Sequence, residues 1–396
     1  MPPEQLPLRD RRDRMLSLEL FAGAGGLALG MHQSGFRPLA LLERDRDSCD
    51  TLRMNLDAFG DGSGSPRVMQ ADVRDIDYSE FAGRVRFVTG GPPCQPFSLG
   101  GRHRGREDSR DMFPEAVRAV RELRPLGFLF ENVRGLLRES FAPYFRYIVL
   151  QLTHPDLASF RGETWEEHLR RLEQRHFSRT GSNLRYNVLF RQMNAADYGV
   201  PQKRYRVMIV GFRGDIDADF RFPEPACSRQ ALVRAKRGGE YWKQHGMPAP
   251  PGQENASGPD GLIGIGRWRT VRDALAGLPD PLSGGPGGFA NHEFRDGARA
   301  YRGHSGSVLD EPSKALKAGV HGVPGGENAM ISDDGGLRYY TAREGARLQT
   351  FPDSYSFSGS WSESMRQIGN AVPVLLARAV GESVAESLER AGACHG

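Results

Sequence analysis

The chain has 396 residues, 38% of them hydrophobic, and a net charge of +4, enough to bury the core of one large domain and a smaller one. Its charged opening, MPPEQLPLRDRRDRM, holds no apolar stretch of secretory length, and no run of about 18 apolar residues occurs elsewhere, so the expectation is an intracellular (cytoplasmic) protein with no membrane span. Cys49, Cys94, Cys227 and Cys394 are scattered without a CxxC pair or a zinc-like Cys/His spacing, which argues against disulfides and a bound metal.

From Met15 to Glu131 one pattern repeats: a short apolar run, an abrupt polar or glycine-rich turn, then a helix-compatible stretch. This predicts an open, largely parallel α/β sheet of Rossmann-like type. The runs are Met15 to Phe21, Leu39 to Leu42, Arg67 to Ala71, Val85 to Thr89 and Gly127 to Phe130, and just beyond them stand Gly23 and Gly25, Glu43, Asp72, Cys94 and Glu131. Ligands of such sheets lie outside the carboxyl ends of the strands, so these residues are expected to converge. A helical insertion follows, with a capping box at Thr164 to Glu167 before EEHLRRLEQ, and Val207 to Gly211 predicts another strand. Residues 228–266 and 281–290, rich in Gly, Pro and polar side chains, are expected to be loops and linker. Arg338 to Glu389 returns to helical patterning.

The turn Phe21-Ala-Gly-Ala-Gly-Gly26 follows the first run and opens a helix, where backbone approaches a ligand closely. A turn glycine-rich only for tight packing looks the same. Glu43, ending the second run, is where a doubly wound fold places a carboxylate on ribose hydroxyls, and Asp72 closes the third run, placed for an adenine edge. A single acid there is most often a helix cap. Together with the glycine turn, two such acids favour an adenosine-containing cofactor. In Gly90-Gly-Pro-Pro-Cys94 two prolines stiffen the backbone and hold a thiol at the crevice mouth. Glu131, in the neighbouring position, supplies a carboxyl group for attack on an electron-poor ring. Arg204 and Arg206 alternate in Gln202-Lys-Arg-Tyr-Arg206 and are expected to point the same way on an incipient strand. Cations near Cys94 favour its thiolate. Arginine outnumbers lysine 48 to 5; its planar fork suits phosphate and guanine, and a GC-rich genome gives the same bias.

These residues resemble the cytosine-5 DNA methyltransferases of bacterial restriction-modification type. The resemblance covers nearly the whole chain in motif order: LFAGAGG at 20–26, Glu43, Asp72, GGPPCQPFS at 90–98, Glu131-Asn-Val, QKRYR at 202–206, TAREGARLQTFPDSY at 341–355 and QIGNAVP at 367–373. It implies an S-adenosylmethionine-dependent methyltransferase sheet with a small target-recognition domain. Cys94 would add to carbon 6 of cytosine, Glu131 would contact N3 and the exocyclic amine, and Arg204 and Arg206 would lie near the cytosine O2, the thiol and the target phosphate. Phe21, Gly23, Gly25, Gly26, Glu43, Asp72, Val73, Gly91, Pro93, Asn370, Ala371 and Val372 match the S-adenosyl-L-methionine pocket. Gln95, Ser98, Arg102, Arg104, Arg106 and Gln202 would face DNA, the arginines closing on phosphates around an extruded base.

The resemblance puts target recognition between the arginine motif and FPDSY, here residues 282–337, with 1–281 and 338–396 as the catalytic and cofactor-binding domain. Arg299, Arg302, His304, Ser305, Lys314, Lys317 and His321 are candidates there for base edges, though each is equally suited to holding a loop. The expected partners are double-stranded DNA and a cognate endonuclease acting on the same site, with the chain a monomer. A transfer RNA substrate and an inactive DNA-binding relative are the alternatives; intact Cys94, Glu131, Arg204 and Arg206 argue against the second.

Overall fold

The computed structural model describes residues 15–60, 64–93, 111–178, 184–250, 265–282, 288–300, 305–318 and 326–393. The chain packs into two compact units. Of the described residues, those from Met15 to Met193, Tyr205 to Phe222 and Val380 to Ala393 form the sheet unit, and those of Asn194–Arg204 and Pro223–Ala379 form the second unit. These breaks lie elsewhere than at 282 and 338, and the described residues between those positions belong to the second unit.

Seven strands form the main sheet: β1 (Met15–Leu20), β2 (Phe36–Glu43), β3 (Arg67–Gln70), β4 (Phe87–Gly90), β5 (Gly127–Val133), β6 (Tyr186–Asn194) and β7 (Tyr205–Arg213). Their order is β3-β2-β1-β4-β5-β7-β6. The first five pair in parallel, and β7 runs antiparallel to β5. The central strands are apolar along their length because both faces are covered, as in β4 (FVTG) and Gly127–Asn132 of β5, which are buried throughout. Chain order reverses between the neighbours β1 and β4, the switch point at which such sheets open a crevice. Close packing demands glycine in two places: a Cβ on Gly90 would lie 2.6 Å from the Leu20 carbonyl oxygen, and one on Gly211 would lie 2.1 Å from the Phe128 ring.

The crossovers are α1 (Gly26–Gln33), α2 (Arg46–Met54), α3 (Phe113–Leu123), α4 (Ala142–Thr153) and α5 (Trp165–Phe177). Asp45 caps α2 by accepting from the Ser48 amide at 2.9 Å, and Pro114 sits in the first turn of α3, whose buried stripe runs Phe113, Ala116, Val117, Val120, Leu123. The expected capping box of α5 is present: Thr164 accepts from the Glu167 amide and Glu167 returns to the Thr164 amide.

The second unit holds α6 (Arg229–Arg237), α7 (Glu240–Gln244), α8 (Val271–Leu275), α9 (Ala342–Leu348) and α10 (Trp361–Asn370). Its short strands are β8 (Cys227–Ser228), β9 (Gly266–Arg267), β10 (Ser307–Val308), β11 (Ala329–Ile331) and β12 (Leu337–Tyr339). The final helix is α11 (Val374–Arg390). The expectation of loop and linker over 228–266 is wrong for its described part. Leu232, Ala235, Tyr241, Trp242 and Trp268 form a small core of their own, and Ser228 caps α6. The helical expectation from Arg338 also needs correction, because Leu337–Tyr339 pairs antiparallel with β11.

Candidate active site

At the end of β1 the backbone turns through three left-handed residues, Phe21 (φ 55°), Gly23 (φ 53°) and Gly25 (φ 81°). The conformation costs a phenylalanine about 1–2 kcal/mol, so the surrounding bonds must hold it. They do: the Ala22 amide donates to the Leu42 carbonyl at 3.0 Å and the Gly25 amide to the Ala22 carbonyl at 2.8 Å. Gly25 is the N-cap of α1 and provides no side-chain cap. A Cβ on Gly23 would meet nothing within 4 Å. The turn thus presents open space beside the start of a helix that begins at Gly26.

Glu43, at the end of β2, braces the turn. Its Oε2 accepts from the Gly23 amide at 2.8 Å, and its Oε1 accepts from the amides of Arg44 and Asp45, both at 2.8 Å. A carboxylate has about four lone-pair directions, so Oε2 retains capacity for a hydroxyl donor. Asp72 does something else. It caps the 3₁₀ turn starting at buried Val73 by accepting from the Arg74 amide at 3.0 Å, and Arg74 grips both its oxygens at 2.9 and 2.6 Å. The Arg74 guanidinium holds the Asp72 carboxyl well below the usual range.

Beyond β4, the Pro92 carbonyl accepts from Asn132 Nδ2 at 2.9 Å and the Pro93 carbonyl accepts from the Met112 amide at 3.1 Å. Both ends of the Pro-Pro turn are therefore fixed from neighbouring elements. A Cβ on Gly91 would lie 3.3 Å from Glu131 Oε2, so glycine gives that carboxyl its room. Glu131 pairs with Arg206 at 2.5 Å, the side chains being 10% and 12% exposed. Burial pulls the Arg206 guanidinium below its ordinary pKa, and Glu131 opposes that. Cys94, Gln95, Ser98, Arg102, Arg104 and Arg106 lie outside the described residues, as do Arg302, His304 and His321.

One acid of the sheet unit has no counterpart in the sequence reading. Glu19, on β1, is 2% exposed and is hydrogen-bonded to Thr89 on β4 and to the Ala28 amide in the first turn of α1. Burial pushes its carboxyl up to about 8. Its only sequence signal is a lone acid within the apolar run MLSLELF.

Two residues of the QKRYR stretch depart from expectation. Gln202, expected at the DNA, is fully buried in the second unit. Its Nε2 donates to the Leu348 carbonyl at 3.2 Å and to Gln349 Oε1 at 3.1 Å, and its Oε1 accepts from the Leu316 amide at 3.0 Å. No part of it is left for a base or phosphate. Arg204 lies just before β7, which begins at Tyr205. It is 1% exposed and donates to the carbonyls of Leu316 (3.0 Å), Ala371 (3.2 Å) and Gly369. Arg204 thereby anchors the Asn370-Ala371-Val372 turn, in which Asn370 is exposed while Ala371 and Val372 are buried. Lys314 and Lys317 hold loops: Lys314 donates to Ser305 Oγ at 3.2 Å and Lys317 pairs with Glu327 at 2.9 Å. Arg299 is exposed.

The family model of the C-5 cytosine-specific DNA methylases matches residues 15–156, 167–246 and 291–386. The chain is 32% identical to the Type II methyltransferase M.PspPI of Psychrobacter sp., covering 98% of this chain and 83% of that protein. It is also 32% identical to the Type II methyltransferase M.Eco47II of Escherichia coli, covering 94% and 79%. Among solved structures, a putative DNA modification methyltransferase encoded within an E. coli prophage superposes with a TM-score of 0.56 at 22% identity, and the S. pombe Dnmt2 methyltransferase with 0.57 at 18%. Each match covers 95% of this chain and 99% of the other, and the chain shares the fold of these methyltransferases. With a glycine turn braced by Glu43 and a buried Glu131–Arg206 pair beside a fixed Pro-Pro turn, the chain belongs to the C-5 cytosine-specific DNA methylase family.

Proposed function

We propose that this DNA (cytosine-5)-methyltransferase moves a methyl group from S-adenosyl-L-methionine to carbon 5 of a cytosine flipped out of a short double-stranded site, through a Cys94 adduct at carbon 6. The observation that carries the reading is the Glu131–Arg206 pair, buried against Gly91 within three residues of Cys94 in sequence. The turn Phe21–Gly26 and Glu43 fit the cofactor: open space above Gly23, a helix start without a side-chain cap, and acceptor capacity on Glu43 for a ribose hydroxyl. When bound, S-adenosyl-L-methionine supplies an electrophilic methyl group. Asp72 is engaged by Arg74, so its part in holding adenine requires Arg74 to give way.

In the proposed reaction the Cys94 thiolate forms the bond to carbon 6 while Glu131 holds a proton at N3. The displaced ring electrons then make carbon 5 nucleophilic. After methylation solvent water takes the proton from carbon 5, the 5,6 double bond re-forms as the carbon–sulfur bond breaks to regenerate the thiolate, and the N3 proton returns to Glu131. Arg206 fixes Glu131 in place and carries the positive charge that keeps the pair compatible with burial. Extruding the base costs a few kcal/mol, and Arg102, Arg104 and Arg106 are proposed to offset this by binding phosphates. Base reading is proposed for residues 282–337, and the Type II designation of the relatives supports a cognate endonuclease acting on the same site.

The test is covalent trapping on a pool of duplexes carrying 5-fluorocytosine. Wild-type protein is expected to form a denaturation-resistant complex that requires S-adenosyl-L-methionine and is absent in Cys94→Ala. Trapping on transfer RNA with none on any duplex would overturn the DNA reading.

A further inference from the structure

In the second unit, Arg267 and Arg269 alternate with Trp268, which is buried in the Tyr241–Trp242 core. The basic side chains around them have acids: Arg267 grips Asp273 at 2.6 and 2.7 Å, and Arg347 grips Asp353 at 2.8 and 2.7 Å. Arg272 pairs with Asp310 at 2.7 Å and Asp333 at 2.6 Å, and Lys236 pairs with Glu311 at 2.8 Å. Arg269 makes neither a hydrogen bond nor an ion pair among the described residues. Asp273, the acid whose field it feels most, has no capacity to spare. That carboxylate already serves both nitrogens of Arg267, the Thr270 amide at 2.7 Å and His245 Nε2 at 3.1 Å.

Arg269 is also partly buried. Burial, together with the like charges of Arg267 and Arg347, holds its guanidinium below the ordinary value, with Asp273 opposing. Its guanidinium nitrogens are not cut off from solvent, so an incoming anion can reach them, and a partly desolvated cation without a counter-ion gains from such a partner. The anion that a DNA-modifying protein meets in quantity is the phosphodiester, which the planar guanidinium fork binds in bidentate fashion. Arg269 lies outside the three spans matched by the family model and outside the segment 282–337.

We propose that Arg269 binds one backbone phosphate of the DNA duplex, in a part of the chain with no other assigned role. The proposal rests on the DNA reading above. Nearby, α6 carries four basic residues and no acid, with Arg229 and Arg237 exposed, so the surroundings favour a polyanion.

The experiment measures affinity of the full chain for a fluorescein-labelled duplex over a range of salt concentrations. One neutralised phosphate contributes about 0.9 to the slope of log K against log salt, which at about 0.1 M salt is roughly eightfold in affinity. Arg269→Gln is expected to lose that slope increment and about eightfold in affinity, and to melt no lower than wild type. Arg269→Lys is expected to keep the slope. An unchanged slope in Arg269→Gln overturns the proposal, and so does an affinity loss that tracks a lower melting temperature, which would mark a structural residue. Inorganic phosphate that raises the wild-type melting temperature through Arg269, with the DNA slope unmoved, would assign the site to a free anion and equally overturn it. Fluorocytosine trapping separates the two readings: intact trapping with an unchanged slope sinks only the Arg269 site, whereas a wild type that neither traps nor binds duplex sinks the function.

Discussion

Arg206→Met tests whether the Glu131–Arg206 pair is the energetic centre of the site. At 2.5 Å and an effective dielectric of about 20 the attraction is on the order of 7 kcal/mol. Most of it is offset by desolvation, so removing one partner, which strands Glu131 as a buried charge, is expected to cost about 3–5 kcal/mol. At roughly 2–4 °C per kcal/mol for a unit of this size, the melting temperature should fall by about 10 °C. Arg206→Met combined with Glu131→Leu removes both charges and is expected to recover most of that loss, since apolar replacements of buried pairs are commonly neutral. Neither variant should transfer methyl groups. Differential scanning calorimetry and incorporation of a radiolabelled methyl group into DNA read the two effects separately. A single variant melting within about 2 °C of wild type, or a double variant no more stable than the single one, would refute the reasoning.

Glu19 makes stability depend on pH. Its carboxyl has a folded-state value of about 8 against 4.5 as a free side chain, so the folded protein holds the proton more tightly. The stabilisation is complete below about 4.5 and is lost as pH rises toward 8, at about 1.4 kcal/mol per unit. Glu19→Gln mimics the protonated acid, and its melting temperature should gain on wild type between about pH 5 and 8; parallel curves would refute the assignment. Gln202→Ala leaves the Leu316 amide and the Leu348 carbonyl without this partner, a loss of about 1–3 kcal/mol by urea denaturation. Its salt dependence of DNA binding should match wild type, and a weaker duplex affinity at unchanged stability would restore Gln202 to the DNA interface.

The parallel part of the sheet was legible because doubly covered strands read as apolar runs ending abruptly in glycine or an acid. β6 escaped notice because it is an edge strand, with Asn187, Leu189, Phe190, Arg191 and Gln192 all exposed, and shows neither a continuous run nor clean alternation. α6 was hidden by its neighbourhood, since the Gly- and Pro-rich stretch behind it outweighs the three-residue stripe Ala231, Leu232, Ala235. At the site, Glu43 and Glu131 were legible from their places at strand ends. Asp72 followed the commoner fate of such an acid and caps a turn. The roles of Gln202 and Arg204 had no local signal, because their partners are supplied by Leu316, Leu348, Gln349, Gly369 and Ala371, more than a hundred residues further on.

That separation has a consequence for how the chain is made. The Arg204 guanidinium is buried by carbonyls 112 to 167 residues downstream, and the loops so closed are long. Their entropy must be spent before the contacts repay it. During synthesis the QKR stretch emerges long before Gly369 and Ala371, so its cation cannot have its full set of acceptors until most of the chain has been translated. Completion of the second unit is therefore coupled to arrival of the C-terminal segment, and a chain stopped short of residue 367 keeps the Leu316 carbonyl but lacks those of Gly369 and Ala371, two of the three that accept from Arg204.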